Sequence, residues 1–441
     1  MDAILRPSPT LTGTLRAPPD KAIAHRAVLL ASVLNGVTEL APWSPADDCQ
    51  RTLELVERLG VPIERAQETV RITGQGFRGL RAPQGELWCG ESGTTMRLSC
   101  GLLAGQPFRA RLTASPSLCR RPMGRVAEPL TRMGAQVQGA GGAAENEVYP
   151  PLAIQGRRSL TGITHRPSVA SAQVKSAVLF AGLWAEGPTT VVETVLTRDH
   201  TERLLARVGI PLARQGLSVT VTPPPAAPAT PGRLRIPGDP SSAVFLVVAA
   251  AVLPDARLVL QDVGLNPTRI HALHLLRRMG ASVSWVIEDD TWEPRGTITV
   301  ESSRLTGVTV PAQEIPLVID ELPILMVAAC AATGVTRFEG VGELRVKETD
   351  RQHSMTEGLS RLGASLSPHG AAGIAVTPGR LTGAVVDSYG DHRTAMSLAV
   401  AGLLASGETR IRGAECVSKS FGSFFNALAS VTAPGSVSTA S

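Results

Sequence analysis

The residues of this chain that could do chemistry are cations and carboxylates placed in or beside the starts of apolar, helix-like runs. The cations are Lys21, Arg26, Arg97, Arg121, Lys347, Arg351, Arg393 and Lys419. Two acidic residues, Asp320 and Glu348, occur in the same kind of segment. Clustered cations can bind a substrate with several anionic groups, and a carboxylate or lysine of shifted pKa can transfer its protons. The pattern favours acid–base catalysis on a multiply anionic substrate.

Each of these segments also has an ordinary structural explanation. Lys21 and Arg26 could lie on a solvated helix start, Ser171 could be a helix cap, and Asp320 could compensate a helix dipole. His392 could be a partly buried structural histidine. A shared role is favoured because most of the segments occupy the equivalent position in a repeated unit, so the fold could bring them into one cleft.

Other short motifs narrow the chemistry further. The segment GESGTTMR (90–97) places small residues before a helix, where exposed N–H groups could hold a phosphate or a carboxylate. The segment RRPM (120–123) offers two guanidinium groups suited to an oxyanion. The chain has no Walker motif and no GxSxG. Nucleotide-dependent kinases and serine hydrolases are therefore disfavoured.

A pattern that occurs about six times predicts how these segments are positioned. Each repeat has an apolar helix-like run, a break of small residues and glycine, a strand-like run, and an amphipathic helix that ends at glycine. The helix-ending glycines are Gly60, Gly134, Gly209, Gly280 and Gly363, and the sixth copy is degraded. The first helix of each repeat should be buried because it is apolar on all sides.

The repeats divide into two groups of three around the proline-rich segment Thr222–Gly232. We expect a first domain at residues 21–238. The sixth repeat ends before its strands are complete, so the N-terminal segment should complete it, and the second domain should comprise 1–20 plus 239–441. The last ten residues, TAPGSVSTAS, are small and polar, which predicts disorder.

Composition limits the class of protein. The chain has 441 residues, too many for one hydrophobic core, with 43% hydrophobic and 18% charged residues. Its apolar runs are too short to cross a bilayer, and no signal-peptide pattern is present, so we expect a cytoplasmic protein that binds no membrane. The net charge of +5 suits anionic substrates, but only 3% of residues are aromatic, which argues against nucleic acid. Six scattered cysteines without a CxxC pair argue against a zinc site or a disulfide framework.

Seven segments in this order closely resemble the 5-enolpyruvylshikimate-3-phosphate (EPSP) synthase family of enolpyruvyl transferases. They are DKAIAHR, GESGTTMR, RRPM, SAQVKSA, IDELP, RVKETDR and GDHR, within a similarity that runs from about Leu11 to Phe425. The resemblance implies an α/β (α+β) fold, a two-domain inverse α/β barrel-like architecture with three βαβαββ repeats per domain and six in total. It implies transfer of the enolpyruvyl group of phosphoenolpyruvate (PEP) to the 5-hydroxyl of shikimate 3-phosphate, releasing phosphate by addition and elimination. It further implies a monomer that serves chorismate and aromatic amino acid biosynthesis without a metal or a cofactor.

The resemblance also assigns site residues, motif by motif. Shikimate 3-phosphate is implied to contact Lys21, Ala22, Arg26, Ser171, Ala172, Gln173, Arg198, Asp320 and Lys347. PEP is implied to contact Lys21, Gly93, Arg121, Gln173, Arg351, Arg393 and Lys419. Asp320 is the implied base for the 5-hydroxyl, Glu348 and Lys21 are implied to carry protons to and from the PEP methylene, and His392 is implied to support them.

Three positions depart from the pattern of the best-known members. Ala22 replaces a serine, which removes one hydroxyl contact to the substrate phosphate, and Leu98 replaces a proline. Glu91 stands where asparagine is common, and its carboxylate would repel PEP unless it turns away or pairs with an arginine. Gly93 is kept, as in members sensitive to glyphosate, so we expect this inhibitor of the PEP site to act here.

Two other functions compete with this interpretation. A sister family transfers enolpyruvyl to UDP-N-acetylglucosamine, and its loop cysteine lies about five residues before an Arg-Pro pair. Here Cys119 precedes Arg121–Pro122 by only two residues, so the nucleophile is misplaced. A non-catalytic anion-binding scaffold would bind both substrates without releasing phosphate. The joint presence of Lys21, Asp320, Glu348 and Lys419 argues against the scaffold.

Overall fold

Two compact units make up the protein in its computed structural model, which describes residues 1–141 and 147–440. The central unit is Pro19–Ile236, and the terminal unit joins Met1–Pro18 to the chain from Pro237 onward. These boundaries lie two residues before the expected 21 and 238. The terminal unit contains the first two strands, β1 (Asp2–Leu5) and β2 (Leu11–Arg16).

The central unit contains the next twelve strands and the first seven helices of the described chain. Its strands are β3 (Asn35–Ala41), β4 (Ile63–Ala66), β5 (Thr69–Gln75), β6 (Leu87–Trp88), β7 (Arg109–Thr113), β8 (Gln136–Gly141), β9 (Val148–Gln155), β10 (Thr164–His165), β11 (Thr189–Val192), β12 (Leu212–Gln215), β13 (Ser218–Val221) and β14 (Arg233–Arg235). Its helices are α1 (Lys21–Ala31), α2 (Asp47–Arg58), α3 (Gly93–Ala104), α4 (Pro116–Cys119), α5 (Gly124–Arg132), α6 (Ala172–Ala181) and α7 (His200–Arg207).

The terminal unit continues with ten strands and seven helices within the described residues. Its further strands are β15 (Ala256–Gly264), β16 (Ser282–Asp289), β17 (Arg295–Glu301), β18 (Thr309–Val310), β19 (Thr336–Phe338), β20 (Ser365–His369), β21 (Gly373–Thr377), β22 (Val385–Asp387), β23 (Thr409–Arg412) and β24 (Val437–Ala440). Its helices are α8 (Pro240–Val252), α9 (His271–Arg278), α10 (Ile315–Val318), α11 (Leu322–Cys330), α12 (Arg351–Arg361), α13 (His392–Leu404) and α14 (Phe424–Val431). Short 3₁₀ helices occur at Gly182–Trp184, Gly342–Val346 and Ala414–Lys419.

Six four-stranded sheets of one design, three in each unit, account for these strands. The strand orders are β14-β3-β5-β4, β6-β7-β9-β8 and β10-β11-β13-β12 in the central unit, and β2-β15-β17-β16, β18-β19-β21-β20 and β22-β23-β1-β24 in the terminal unit. In every sheet the first pair is parallel and the other two pairs are antiparallel. A parallel pair needs a crossover, which a buried helix supplies, and the antiparallel strands close through a hairpin. The predicted α/β fold of six βαβαββ repeats is thereby confirmed.

The N-terminal segment contributes a strand to each of two repeats, which corrects the expectation that it would complete only the sixth repeat. β1 pairs with β23 and β24 in the sixth repeat, as expected, but β2 pairs in parallel with β15 and opens the fourth repeat. The prediction of a disordered C-terminal tail is wrong, because Val437–Ala440 forms β24 against β1. Pairing with β1 satisfies the backbone of a segment whose small, polar side chains give no local signal for a strand.

Three buried helices form the core of each unit. They are α1, α3 and α6 in the central unit and α8, α11 and α13 in the terminal unit, and nearly all of their residues are buried. Within the central unit, α3 and α6 approach closely at Gly101, where an added Cβ would lie 2.1 Å from the carbonyl oxygen of Ala177. The amphipathic helices end as predicted, since all five repeat glycines have φ between +75° and +105°. This packing brings the first turns of the buried helices of each unit near one another.

Candidate active site

The first two turns of α1 in the central unit carry Lys21, Ala22 and Arg26. Asp20 caps this helix by accepting hydrogen bonds from the N–H groups of Ala22 at 2.7 Å and Ile23 at 3.1 Å. The ammonium of Lys21 donates to the Asp48 carboxylate of α2 at 3.0 Å, and both side chains are about one-sixth exposed. Lys21 is thus a held but accessible cation, as proton transfer to a bound substrate requires.

Arg26 is buried and ties three helices together. Its Nε donates to Thr201 Oγ1 of α7 at 2.8 Å, and its Nη2 donates to Ser176 Oγ of α6 at 2.9 Å. Its Nη1 donates to the carbonyl oxygen of Ala22 at 2.8 Å. A planar guanidinium can serve several acceptors in one plane, so Arg26 fixes α1, α6 and α7 relative to one another near their N-terminal ends.

Gly93 begins α3 directly beneath two guanidinium groups. An added Cβ at this position would lie 2.9 Å from Nη1 of Arg97 and 2.9 Å from Nη1 of Arg121. Arg97 donates from Nη1 to Gln173 Oε1 at 2.8 Å and from Nη2 to the carbonyl oxygen of Pro122 at 3.2 Å. The start of α3 therefore combines the positive end of a helix dipole with two arginines, which suits a compact anion.

The first turn of α6 presents Ser171, Ala172 and Gln173. Ser171 caps the helix by accepting from the N–H of Val174 at 3.3 Å, so its ordinary structural explanation holds. The same hydroxyl can still donate its proton to a phosphate oxygen. Gln173 donates from Nε2 to Thr94 Oγ1 at 2.9 Å and, through its Oε1 contact with Arg97, links α6 to α3. Arg198 lies half-buried in the segment just before α7.

Arg351, at the start of α12, organises the predicted residues of the terminal unit. Its side chain is 1% exposed, and its Nη2 donates to Glu348 Oε2 at 2.5 Å. Its Nη1 lies 3.5 Å from Asp320 Oδ1, which also accepts from Lys347 Nζ at 3.4 Å. Burial by itself disfavours the guanidinium charge, but Asp391, Glu348 and Asp320 outweigh it and raise the pKa of Arg351. One cation thus holds both candidate catalytic carboxylates.

The first turn of α13 supplies the remaining predicted residues. Asp391 caps it, with Oδ1 accepting from the N–H of Arg393 at 2.8 Å. The Nη1 of Arg393 donates to the carbonyl oxygen of Asp320 at 2.5 Å, while His392 is buried at the first position of the helix. Lys419 donates from Nζ to the carbonyl oxygen of Gly390 at 2.7 Å, so it is tied to the turn before α13.

The structure therefore gathers the predicted residues into one connected set within each unit. In the central unit Lys21, Ala22, Arg26, Gly93, Arg121, Ser171, Ala172 and Gln173 lie at linked helix starts, and Arg198 lies on the neighbouring segment. In the terminal unit Asp320, Lys347, Glu348, Arg351 and Arg393 share direct contacts, with His392 and Lys419 beside them.

Several supporting residues were missed in the sequence. Asp48 holds Lys21, Thr201 and Ser176 hold Arg26, and Glu321 has its Oε1 3.7 Å from Nη1 of Arg393. Asp48 lies 27 residues from Lys21 along the chain, so no spacing rule could have paired them. The one available signal for Glu321 was its place beside Asp320 at the start of a very apolar helix, where acidic residues are favoured.

The positions that depart from the family pattern have distinct surroundings. Ala22 is 8% exposed at the start of α1. Leu98 is fully buried inside α3, where a leucine keeps the backbone N–H that a proline would lack. Glu91 is half-buried in the turn before α3. Cys119 ends α4, with Sγ 3.5 Å from the carbonyl oxygen of Ala114.

Comparisons with known proteins identify the family of the chain. Residues 5–428 match the family model of EPSP synthase (3-phosphoshikimate 1-carboxyvinyltransferase). The chain belongs to the EPSP synthase family. It is 46% identical over 430 residues to the 3-phosphoshikimate 1-carboxyvinyltransferase of Desulforudis audaxviator, covering 97% of this chain and 98% of that protein. The corresponding enzyme of a Roseiflexus species is 45% identical over 431 residues, covering 97% and 98%.

Solved structures of EPSP synthases show the same fold. The enzyme from Acinetobacter baumannii superposes with a TM-score of 0.86 at 37% identity, covering 100% of this chain and 99% of that one. The EPSP synthase resemblance expected from the seven segments is confirmed.

Within the described residues, no helix has the length and apolarity to cross a membrane, and no cluster of histidine, cysteine and acidic residues could hold a metal ion.

Proposed function

We propose that this protein catalyses the reaction for which its family is named, 3-phosphoshikimate 1-carboxyvinyl transfer. The 5-hydroxyl of shikimate 3-phosphate adds to C2 of PEP while C3 gains a proton. The tetrahedral adduct then loses phosphate from C2 and a proton from C3, which gives 5-enolpyruvylshikimate 3-phosphate. The substrates together carry two phosphates and two carboxylates. The cations at the helix starts of this chain can balance these negative charges.

Shikimate 3-phosphate binding is proposed for the first turns of α1 and α6 and for the segment before α7. The residues proposed to contact it are Lys21, Ala22, Arg26, Ser171, Ala172, Gln173, Arg198, Asp320 and Lys347. The support within the central unit is that Arg26 joins α1, α6 and α7 at Ser176 and Thr201. Because Ala22 has no hydroxyl and its N–H group already donates to Asp20, the neighbouring cations carry the contact with the phosphate.

PEP binding is proposed for Lys21, Gly93, Arg121 and Gln173, with Arg351, Arg393 and Lys419. The support is the missing Cβ at Gly93, which leaves the Nη1 atoms of Arg97 and Arg121 close above the helix start. An anion that reached Arg351 would compete with Glu348 and Asp320 for its guanidinium. Such competition would loosen the hold of Arg351 on the two carboxylates at the step where they accept protons.

Proton transfer is proposed for two carboxylates and one ammonium, with His392 in support. Asp320 takes the proton of the 5-hydroxyl during addition. Lys21 and Glu348 carry the proton that C3 gains, and Glu348 removes a proton from C3 as phosphate leaves. The observation that carries this assignment is the contact of one buried guanidinium, that of Arg351, with Glu348 at 2.5 Å and with Asp320 at 3.5 Å.

The decisive experiment measures phosphate release by the purified protein with PEP and shikimate 3-phosphate together. We expect turnover that depends on both substrates and no release when UDP-N-acetylglucosamine replaces shikimate 3-phosphate. Release only with the UDP-sugar would establish the sister activity instead. Tight binding of both substrates without release would establish the anion-binding scaffold.

Three further properties complete the proposal. We propose that the protein is a monomer, which light scattering during size-exclusion chromatography tests. We also propose that glyphosate inhibits it at the PEP site. We also propose a cytoplasmic location because the six cysteines are free and burial raises the pKa of thiols such as Cys100 and Cys330, each to about 12. Fluorescent tagging in the source cell tests the location.

A further inference from the structure

A buried lysine that the proposed reaction does not use lies at the centre of an ion-pair network in the central unit. Lys175 in α6 is 1% exposed, and its Nζ contacts Glu193 Oε2 at 3.0 Å and Glu202 Oε1 at 2.7 Å. Both glutamates are at most 5% exposed, and Arg214 donates to Glu202 Oε1 at 2.9 Å. Two cations therefore balance two buried carboxylates, as burial of charge requires.

Lysine itself is unusual in this protein. The chain has only four lysines among its 43 lysines and arginines, and the other three are Lys21, Lys347 and Lys419. Those three all belong to the proposed site. A buried lysine in a chain that otherwise uses arginine indicates a position where a compact ammonium fits and a guanidinium does not.

The network holds the segment from Glu193 to Asp199 against α6. The ammonium of Lys175 donates to the carbonyl oxygen of Thr197 at 3.4 Å. Glu193 Oε1 accepts from the N–H of Thr197 at 3.0 Å and also from the Thr197 hydroxyl. Thr197 directly precedes Arg198, so these bonds determine where the backbone of Arg198 lies.

The neighbouring residue on α6 extends the same connection. Ser176 accepts from Thr201 Oγ1 of α7 at 2.7 Å and from Arg26 Nη2 at 2.9 Å. Lys175 and Ser176 together therefore join α6 to the segment 193–199 and to the first turn of α7. The two cations proposed to bind shikimate 3-phosphate beside α6, Arg26 and Arg198, depend on this junction.

We infer that Lys175 is a positioning residue for shikimate 3-phosphate, because it holds the 193–199 segment and thereby sets Arg198 against the start of α6. This inference deepens the proposed function and rests on it. Lys175 itself touches no substrate. Its removal should weaken binding of shikimate 3-phosphate while leaving PEP binding at Gly93 and Arg121 unchanged, because those residues lie outside the network.

The test compares steady-state constants of three variants with those of the unaltered enzyme. For Lys175→Met we expect KM for shikimate 3-phosphate to rise about tenfold or more, with KM for PEP within about twofold. Thr197→Val removes only one hydroxyl, and we expect a smaller rise of roughly threefold in the same constant. Arg214→Gln is the matched control, since Arg214 is one-third exposed and balances the same charges without bonding to Thr197. We expect it to leave both KM values unchanged.

A merely structural role predicts a different result. Lys175→Met would then lower thermal stability and the amount of active protein, while both KM values stayed unchanged, which would overturn the inference. If Lys175→Met does not fold, Thr197→Val decides, and an unchanged KM for shikimate 3-phosphate overturns the inference. Calorimetric titration of shikimate 3-phosphate into each folded variant should show the same order of affinities. Absence of phosphate release by the unaltered protein would instead refute the proposed function.

Discussion

Arg351 and Asp391 form a fully buried ion pair in the terminal unit, with Nε of the guanidinium 2.8 Å from Oδ2 of the carboxylate. The other oxygen of Asp391 caps α13 by accepting from the N–H groups of Arg393 and Thr394. Asp391 therefore orients the arginine that contacts Asp320 and Glu348, and it also fixes the helix turn that carries His392 and Arg393. A single buried side chain connects most of the candidate catalytic residues of this unit.

Asp391→Asn separates these two roles, because asparagine also caps helices well but cannot balance the Arg351 charge. We expect the free energy of unfolding to fall by about 3 kcal/mol, since one partner of a buried pair loses its charge. We expect kcat/KM for PEP to fall roughly 100-fold as Arg351 and its carboxylates lose their geometry. Urea unfolding and steady-state kinetics measure the two effects.

The control for this variant is Glu357→Gln, which breaks a surface pair with Arg361 on α12. Exposed pairs contribute little, so stability should change by less than about 1 kcal/mol and kinetics not at all. An Asp391→Asn enzyme with the kinetics of the unaltered protein would show that the buried pair does not orient the site.

Glu348→Gln tests proton transfer directly. The amide keeps an oxygen that can accept from Arg351, but it cannot remove a proton from the methyl group of the adduct. We expect kcat to fall by about 100-fold or more while both KM values change little. Rapid-quench analysis should show the adduct forming more slowly, because Lys21 alone supplies the proton to C3, and then persisting because that proton is not removed. A variant with nearly normal kcat would exclude Glu348 as the base.

Gly93→Ala tests the assignment of the PEP position. Its Cβ would lie 2.9 Å from Nη1 of both Arg97 and Arg121, so the two side chains must move apart. We expect a higher KM for PEP, weaker inhibition by glyphosate and an unchanged KM for shikimate 3-phosphate. Gly85→Ala is the matched control, because an added Cβ there meets nothing within 4 Å. Equal PEP kinetics in the two alanine variants would contradict the assignment.

The pH dependence of stability should carry a contribution from His25. Burial, followed by the charges of Lys21 and Arg26, lowers the pKa of His25 from 6.5 to about 3. Below pH 6.5 the unfolded chain binds a proton at His25, whereas the folded protein does not bind this proton until about pH 3. The free energy of unfolding therefore falls as the pH falls through this window. Between pH 7 and pH 5 the loss from this residue should approach about 2 kcal/mol.

The comparison that isolates this residue is His25→Asn, whose amide can keep the contact with Thr52 Oγ1 that His25 Nδ1 makes at 2.6 Å. We expect its urea midpoint to drop less between pH 7 and pH 5 than that of the unaltered protein. Equal drops in the two proteins would mean that His25 is already protonated, or readily protonated, in the folded state.

Much of the fold could be predicted because the information is local and repeated. The apolar runs that became α8 and α11 could only be buried, and the glycines from Gly60 to Gly363 marked helix ends that adopt positive φ. The tail could not be predicted in the same way. Val437–Ala440 is a strand only because β1, more than 400 residues earlier, offers it an edge.

The sequence by itself determined the sixfold repeat, the helix starts that bear the chemistry, and the motifs that carry the family resemblance. Only the tertiary structure decided which charges meet: Lys21 with Asp48, Arg351 with Asp391, and Lys175 with Glu193 and Glu202. The reason is physical. A helix start is specified by neighbours a few residues away. A buried charge is specified by whatever opposite charge the packing brings within hydrogen-bond reach, and the chain order does not encode that distance.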